Sequence, residues 1–144
     1  MHPTELAQRC ADAMYAADSA SQHLGITIHD VAPGQATAHM LIGDDMLNGH
    51  GICHGGYVFT LADTAFAFAC NTYDDVTVAA GADISFLEPI TGSATLTATA
   101  RETHRRGRSG LYDVTVRTEE GTVVAEFRGR SRSLGRPLLD DAAG

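Results

Sequence analysis

The sequence predicts an α+β fold in which an antiparallel sheet wraps around one long, buried helix. A segment from about His54 to Asn71 is apolar on nearly every side when it is drawn as a helix, so other elements must cover most of its faces. Four strand-like runs follow this segment, and a pair of shorter strand-like runs precedes it. One central helix followed by a meander of strands is typical of such a sheet.

The remaining elements follow from periodicity and turn signals. Residues from Thr4 to about Asp18 have the apolar spacing of an amphipathic helix with Thr4 as a candidate N-cap, and we assign residues 1–20 to it. Glycine-rich residues 46–56 are expected to form a loop. The predicted strands are Leu24–Val31, Gln35–Ile42, Val76–Leu87, Ala94–His104, Leu111–Thr118 and Thr122–Ser133.

Length and composition indicate one domain over residues 1–144, with a flexible tail expected at 137–144. The formal net charge of −8 argues against non-specific binding to nucleic acid. No apolar run reaches membrane-spanning length, so we expect no membrane association. Three cysteines are an odd number in a chain that can fold without disulfides, which favours a reducing cytoplasm.

Asp63 is the first candidate for chemistry. It is the only Asp, Glu, Lys or Arg between Asp45 and Asp74, and it lies in the middle of the most apolar segment. Burying an unpaired carboxylate is costly, so folding alone would not select one there. The alternative is a partly exposed position or a structural hydrogen bond to a loop. The functional interpretation is a general base or a nucleophile in a partly desolvated pocket.

Gly55 and Gly56 open the predicted helix. Glycine lets a ligand approach the backbone closely, and the free N–H groups of a first helical turn can stabilise a developing oxyanion. A tight loop-to-helix turn would also select glycine. Gly55 and Asp63 are eight residues apart, about 12 Å along a straight helix, whereas attack on a carbonyl needs about 3–3.5 Å. If both groups act on one carbonyl, they come from two antiparallel copies of the helix, which predicts a dimer with shared sites.

Other chemistries fit the same segment less well. Cys53 next to His54 suggests a thiol nucleophile, but cysteine is more often a small buried apolar group. His50 and His54 have the spacing of metal ligands on a helix, but the glycines around them indicate a loop and no third ligand is evident. We therefore expect no metal site.

The arginines are concentrated late in the chain. There is no lysine, and nine of the ten arginines follow residue 100. Arg105, Arg106 and Arg108 lie between two predicted strands, where they could donate charge-assisted hydrogen bonds to phosphates. A solvated hairpin tip is the alternative.

Two motifs together resemble a known family. Residues 48–56, NGHGICHGG, followed by residues 61–65, LADTA, closely resemble the signature of PaaI-type hotdog thioesterases, a family associated with phenylacetate degradation. The likeness extends through Asp83–Pro89, Gly110–Val114 and Phe127–Ser131, and so over most of the chain. The combined motif is specific, whereas HGG alone would be weak.

The resemblance implies a hotdog dimer, commonly paired into a tetramer, that hydrolyses arylacetyl-CoA or hydroxyarylacetyl-CoA. Asp63 would correspond to the family's catalytic carboxylate, and Gly55 would supply the N–H that polarises the carbonyl. Asn48 and His54 would match supporting polar residues, with Asn48 orienting the carbonyl or a water. Thr64 would hydrogen-bond near the carboxylate.

The expected reaction releases a carboxylic acid and free CoA, with no separate cofactor. Contacts to CoA are expected from Gly56 and from the three arginines named above. Two alternatives are a hotdog dehydratase, in which His54 and Asp63 would be the acid/base pair, and an acyl-CoA sensor domain in which Asp63 would be idle.

Overall fold

The computed structural model describes residues 1–139 and contains three α-helices and six strands in that range. Residues 140–144 of the expected flexible tail lie outside the described residues. The helices are α1 (Pro3–Ala17), α2 (Ser19–His23) and α3 (Gly55–Cys70), with a short 3-10 helix at Asp44–Met46. The strands are β1 (Thr27–Ala32), β2 (Gln35–Leu41), β3 (Thr77–Phe86), β4 (Thr95–Arg106), β5 (Ser109–Arg117) and β6 (Val123–Ser133).

All six strands form one antiparallel sheet in the order β1-β2-β4-β5-β6-β3. Helix α3 packs against one face, where alternate strand residues such as Ala98, Val114 and Phe127 are buried. The sheet therefore curves around α3, as the sequence predicts. Strands β1 and β3 are its edges, and β3 hydrogen-bonds to a strand of the described chain on one side only.

Helix α3 is buried on most faces but leaves one stripe partly exposed. Leu61, Ala62 and Ala65 are fully buried. Thr60, Asp63 and other residues at helical spacing are only partly buried, and they form the stripe: Tyr57, Thr60, Asp63, Thr64 and Ala67. The helix ends where Asn71 donates from its amide to the carbonyl oxygens of Ala67 and Thr77 and accepts from the Thr77 N–H.

Two predictions near the N-terminus are wrong. The N-cap of α1 is His2 rather than Thr4, since the His2 ring nitrogen accepts from the Thr4 N–H at 3.1 Å and Pro3 suits the first helical position. The first strand begins at Thr27 rather than Leu24, because Leu24 caps the short helix α2 and Gly25 follows with a φ of 70°.

The β4–β5 hairpin is longer than predicted. Strand β4 continues to Arg106 and β5 begins at Ser109, so Gly107 and Arg108 alone form the turn. Farther on, the N–H groups of Leu138 and Leu139 donate to Asp74, which holds this part of the expected tail against the loop after α3. No helix within residues 1–139 has the length and apolar character needed to cross a membrane.

Candidate active site

The loop before α3 is organised by Asn48. Its side-chain oxygen accepts from the N–H groups of His50 and Ile52, at 2.9 and 3.1 Å, and its backbone N–H donates to the Ile52 carbonyl. Because both acceptor bonds are internal, the side-chain NH₂ is the group of Asn48 that can donate to a ligand. Its role as an orienting residue would therefore be that of a donor.

The N-terminus of α3 has no side-chain cap. His54 is the N-cap residue and is exposed, but its ring makes no capping hydrogen bond. Within the described residues, the Gly55 N–H has no hydrogen-bond acceptor. A first-turn N–H without a partner, at the positive end of the helix dipole, suits a developing oxyanion.

The two glycines that open α3 differ in their surroundings. A Cβ on Gly55 would lie 3.0–3.4 Å from three ring carbons of Phe86, whereas a Cβ on Gly56 would meet nothing within 4 Å. Packing inside one chain therefore restricts residue 55 but leaves residue 56 open. Gly56 is exposed, as a contact to CoA would require.

Asp63 is partly buried in the middle of α3. None of the hydrogen bonds or ion pairs among residues 1–139 involves its carboxylate. Burial raises the pKa of Asp63 above its ordinary value. Phe59 and Phe66, four residues before and three after it, both contact Phe127 on β6, so helical spacing puts two aromatic residues at positions next to Asp63 on α3. A desolvated, unpaired carboxylate is a stronger base than one in water.

Thr64 lies beside Asp63 on the exposed stripe. Its hydroxyl donates to the Thr60 carbonyl at 2.7 Å, so within one chain it can still accept but does not donate to the carboxylate. Gly55 and Asp63 occupy one continuous helix, which keeps them about 12 Å apart. The structure thus groups Asn48, His54 and Gly55 at one end of α3 and leaves Asp63 and Thr64 two turns away.

Cys53 does not resemble a nucleophile. It is 6% exposed and its thiol donates to the His54 carbonyl at 3.5 Å. Burial raises the pKa of this thiol, which keeps it protonated at neutral pH.

The three arginines predicted to bind CoA point in different directions. Arg105 stacks on the Tyr73 ring, with its guanidinium carbon 3.5 Å from the ring centroid, and forms an ion pair with Glu102 at 4.0 Å. The Arg108 guanidinium lies against Gly135. Arg106, one residue after Arg105 in the strand, faces away from α3.

On that outer face, Arg106 lies at the same cavity as Arg132, a residue that the sequence did not single out. A cavity of about 840 Å³ is lined by Arg106, Leu111, Arg130 and Arg132, among others. Arg130 is paired with Asp83 at 3.0 Å, whereas Arg106 and Arg132 have no ion-pair partner among the described residues. In β6, arginines alternate with small residues, which indicates that the arginines share one face of the strand. This pattern does not reveal which strand pairs with β6.

Known proteins resemble this chain over nearly its whole length. A family model for the thioesterase superfamily matches residues 50–125. Acyl-coenzyme A thioesterase PaaI of Escherichia coli (strain K12) is 42% identical over 132 residues, which cover 92% of this chain and 94% of that protein.

Solved structures agree with this similarity. A structure of E. coli PaaI, from the phenylacetic acid degradation operon, matches with a TM-score of 0.92 and 41% identity, covering 94% of this chain and 99% of that one. A mutant structure of the phenylacetic acid degradation protein PaaI from Thermus thermophilus matches with a TM-score of 0.78 and 35% identity, covering 81% and 100%. The chain therefore belongs to the thioesterase superfamily, as a hotdog-fold acyl-CoA thioesterase similar to PaaI.

Proposed function

We propose that the chain hydrolyses phenylacetyl-CoA or hydroxyphenylacetyl-CoA at sites shared between two copies, each using Asp63 of one copy and Gly55 of the other. The observation that carries this proposal is the partly buried Asp63, whose carboxylate has no partner among residues 1–139 and whose pKa burial raises. The PaaI relatives named above support that acyl class.

The chemistry requires one base and one oxyanion donor. Asp63 removes a proton from water as the water oxygen attacks the thioester carbonyl carbon, and the oxyanion that forms accepts from the Gly55 N–H of the other copy. The C–S bond then breaks, and the thiolate of CoA leaves and takes up the proton. In the alternative route, Asp63 itself attacks, releases the thiolate and forms an anhydride, which water then hydrolyses.

Two features support the shared site. Helix α3 keeps Gly55 and Asp63 of one copy about 12 Å apart, too far to act on one carbonyl. Edge strand β3 carries exposed Val78 and Phe86, and its outer backbone groups are free to pair with another strand. A second copy paired there by a two-fold axis would cover both β3 and the exposed stripe of α3. We propose the further pairing of two dimers into a tetramer on the family resemblance alone.

We propose that the CoA phosphates contact Arg106 and Arg132, whose charges are unpaired within the described chain. Arg105 contacts Tyr73 and Glu102, and Arg108 lies against Gly135, so both are less suitable than Arg106 for binding the CoA phosphates. Arg106→Gln with Arg132→Gln should raise KM for acyl-CoA severalfold while kcat changes little, and should weaken the dependence of KM on salt. Arg105→Gln is the matched control. An equal effect of the control would contradict this assignment.

We place the reaction in the cytoplasm, because all three cysteines are buried and no disulfide links them in the part of the chain that the structure describes, as a reducing compartment favours. The proposed reaction uses protein groups and water, with CoA as part of the substrate and no separate cofactor.

A screen of acyl-CoAs with detection of the released thiol tests the proposed substrate class. Phenylacetyl-CoA and its hydroxylated forms should have the highest kcat/KM, and Asp63→Asn should lower kcat by roughly 10²–10⁴. A preference for unbranched aliphatic acyl groups would contradict the arylacetyl assignment. Activity of Asp63→Asn within a few-fold of wild type would contradict the role of Asp63. Conversion of a hydroxyacyl thioester without thiol release would indicate a dehydratase instead.

A further inference from the structure

A cavity of about 310 Å³ opens beside Gly55, at the N-terminal end of α3. Its deep wall includes Val58, Ile90 and Val124, which are 2%, 6% and 2% exposed. Among residues 1–139, its one charged lining residue is Glu88. Neither the base nor the oxyanion donor of the proposed reaction accounts for an apolar cavity at this place.

Phe86, the last residue of β3, stands where this cavity meets Gly55. Its side chain lines the cavity, and three of its ring carbons lie 3.0–3.4 Å from the place that a Cβ on Gly55 would take. The residue is nevertheless 56% exposed within one chain. A large exposed aromatic ring beside a backbone N–H is suited to contact a ligand or a partner.

We propose that this cavity receives the acyl group of the thioester and that Phe86 is a specificity-determining residue that contacts that group. This inference rests on the proposed function, because it assumes that the carbonyl binds at the Gly55 N–H. A carbonyl held there has two substituents, the acyl group and the sulfur of the CoA arm. Only one of them can enter the cavity.

The lining favours the acyl group over the CoA arm. The arm contains amides and ends in phosphates, so it needs hydrogen-bond donors and cations, and burying it without them would be costly. The cavity offers buried aliphatic side chains and one carboxylate, Glu88, which repels phosphates. An apolar acyl group gains from burial there, and an aryl ring gains further from an edge-to-face or offset contact with Phe86.

Changes on two walls of the cavity test the proposal. Acetyl-CoA, hexanoyl-CoA and phenylacetyl-CoA are compared by kcat/KM for Phe86→Leu and Val124→Ala. Phe86→Leu should lower kcat/KM for phenylacetyl-CoA about tenfold relative to acetyl-CoA, because the aromatic contact is lost. Val124→Ala enlarges the deep wall and should improve hexanoyl-CoA severalfold relative to acetyl-CoA.

Leu41→Ala is the matched control, since Leu41 is 61% exposed and does not line the cavity. It should leave the ranking of the three substrates unchanged. Elution volume in size-exclusion chromatography shows whether Phe86→Leu changes the association of chains. If it does, Val124→Ala decides, because Val124 is buried and is not part of an exposed surface.

Equal changes for all three substrates in both variants would overturn the acyl-cavity assignment. In that case Phe86 would act only in packing or in chain association. A wild-type protein that hydrolyses none of the three thioesters would instead contradict the proposed function, so the two failures are distinguishable.

Discussion

Gly129→Ala tests how α3 is seated on the sheet. A Cβ on Gly129 would lie 2.7–2.8 Å from three ring carbons of Phe66, which is itself 1% exposed. Tyr112 and Phe127 pack against the same ring, with centroids 5.6 and 5.8 Å away. To make room for the added Cβ, the Phe66 ring would have to displace one of these two neighbours. Otherwise helix α3 would have to move away from β6.

Two opposing effects determine the size of the change. Adding a methyl group to a filled core typically costs about 1–3 kcal/mol. Gly129 has no positive φ, so alanine fits the backbone there. Alanine also restricts the unfolded chain, which stabilises the folded state by about 0.4–1 kcal/mol. The overpacking is the larger effect. We expect Gly129→Ala to lower the free energy of unfolding by about 1–2 kcal/mol.

Urea denaturation at a fixed protein concentration measures this change, because association would otherwise alter the apparent stability. Gly49→Ala is the control, since a Cβ there would meet nothing within 4 Å. The control should stay within about 0.5 kcal/mol of wild type. If Gly129→Ala is as stable as the control, the close approach of Phe66 to β6 is refuted.

Three further outcomes follow from the buried polar groups. Because burial raises the pKa of Asp63, the charged carboxylate destabilises the fold above that pKa. Asp63→Asn should therefore unfold at a higher urea concentration than wild type at pH 7. This difference should shrink as the pH falls toward 3.8, the ordinary pKa of the carboxyl in the unfolded chain. The acid limb of kcat/KM against pH should have its midpoint above 3.8 for the same reason, and a midpoint at or below it would contradict the burial of Asp63. Asn71→Ala should lower the free energy of unfolding, measured by urea denaturation, by about 1–3 kcal/mol. The reason is that the Ala67 carbonyl and the Thr77 backbone groups lose the side chain that hydrogen-bonds to them. An unchanged free energy of unfolding would mean that water replaces the Asn71 side chain.

The main elements could be predicted because their signals are local. The apolar run of α3 and its stop at Asn71 are visible in the sequence, and the structure confirms both. The N-cap of α1 could not be predicted from the preference for threonine, because His2 and Pro3 together supply an alternative start. Helix α2 is only five residues long, too short for periodicity to reveal it.

The candidate site could be predicted only in part, because only some of its features are local in the sequence. Asp63 is recognisable because a charge in an apolar helix is a local anomaly. The contact of Phe86 with Gly55 and the meeting of Arg106 with Arg132 depend on how distant segments pack and on the register between strands. Residue type alone does not fix such contacts.

The shared site is tested most directly by mixing two inactive variants. Gly55→Pro removes the N–H at the first helical position, where proline is tolerated, and His54 has the extended ψ of 131° that a following proline requires. Asp63→Asn removes the base in the other chain. Each variant alone should be inactive. Gly55→Ala is the control, because it keeps the N–H but adds the Cβ that meets the Phe86 ring, and it should retain more activity than Gly55→Pro.

Chains of Gly55→Pro and Asp63→Asn are refolded together, and the heterodimers are isolated by differently tagged chains before thioester hydrolysis is measured. A site shared between copies leaves one intact site in each heterodimer, so we predict about half of the wild-type kcat per dimer. A site contained in one chain would have no intact copy. Isolated heterodimers with no more activity than either parent variant would contradict the account.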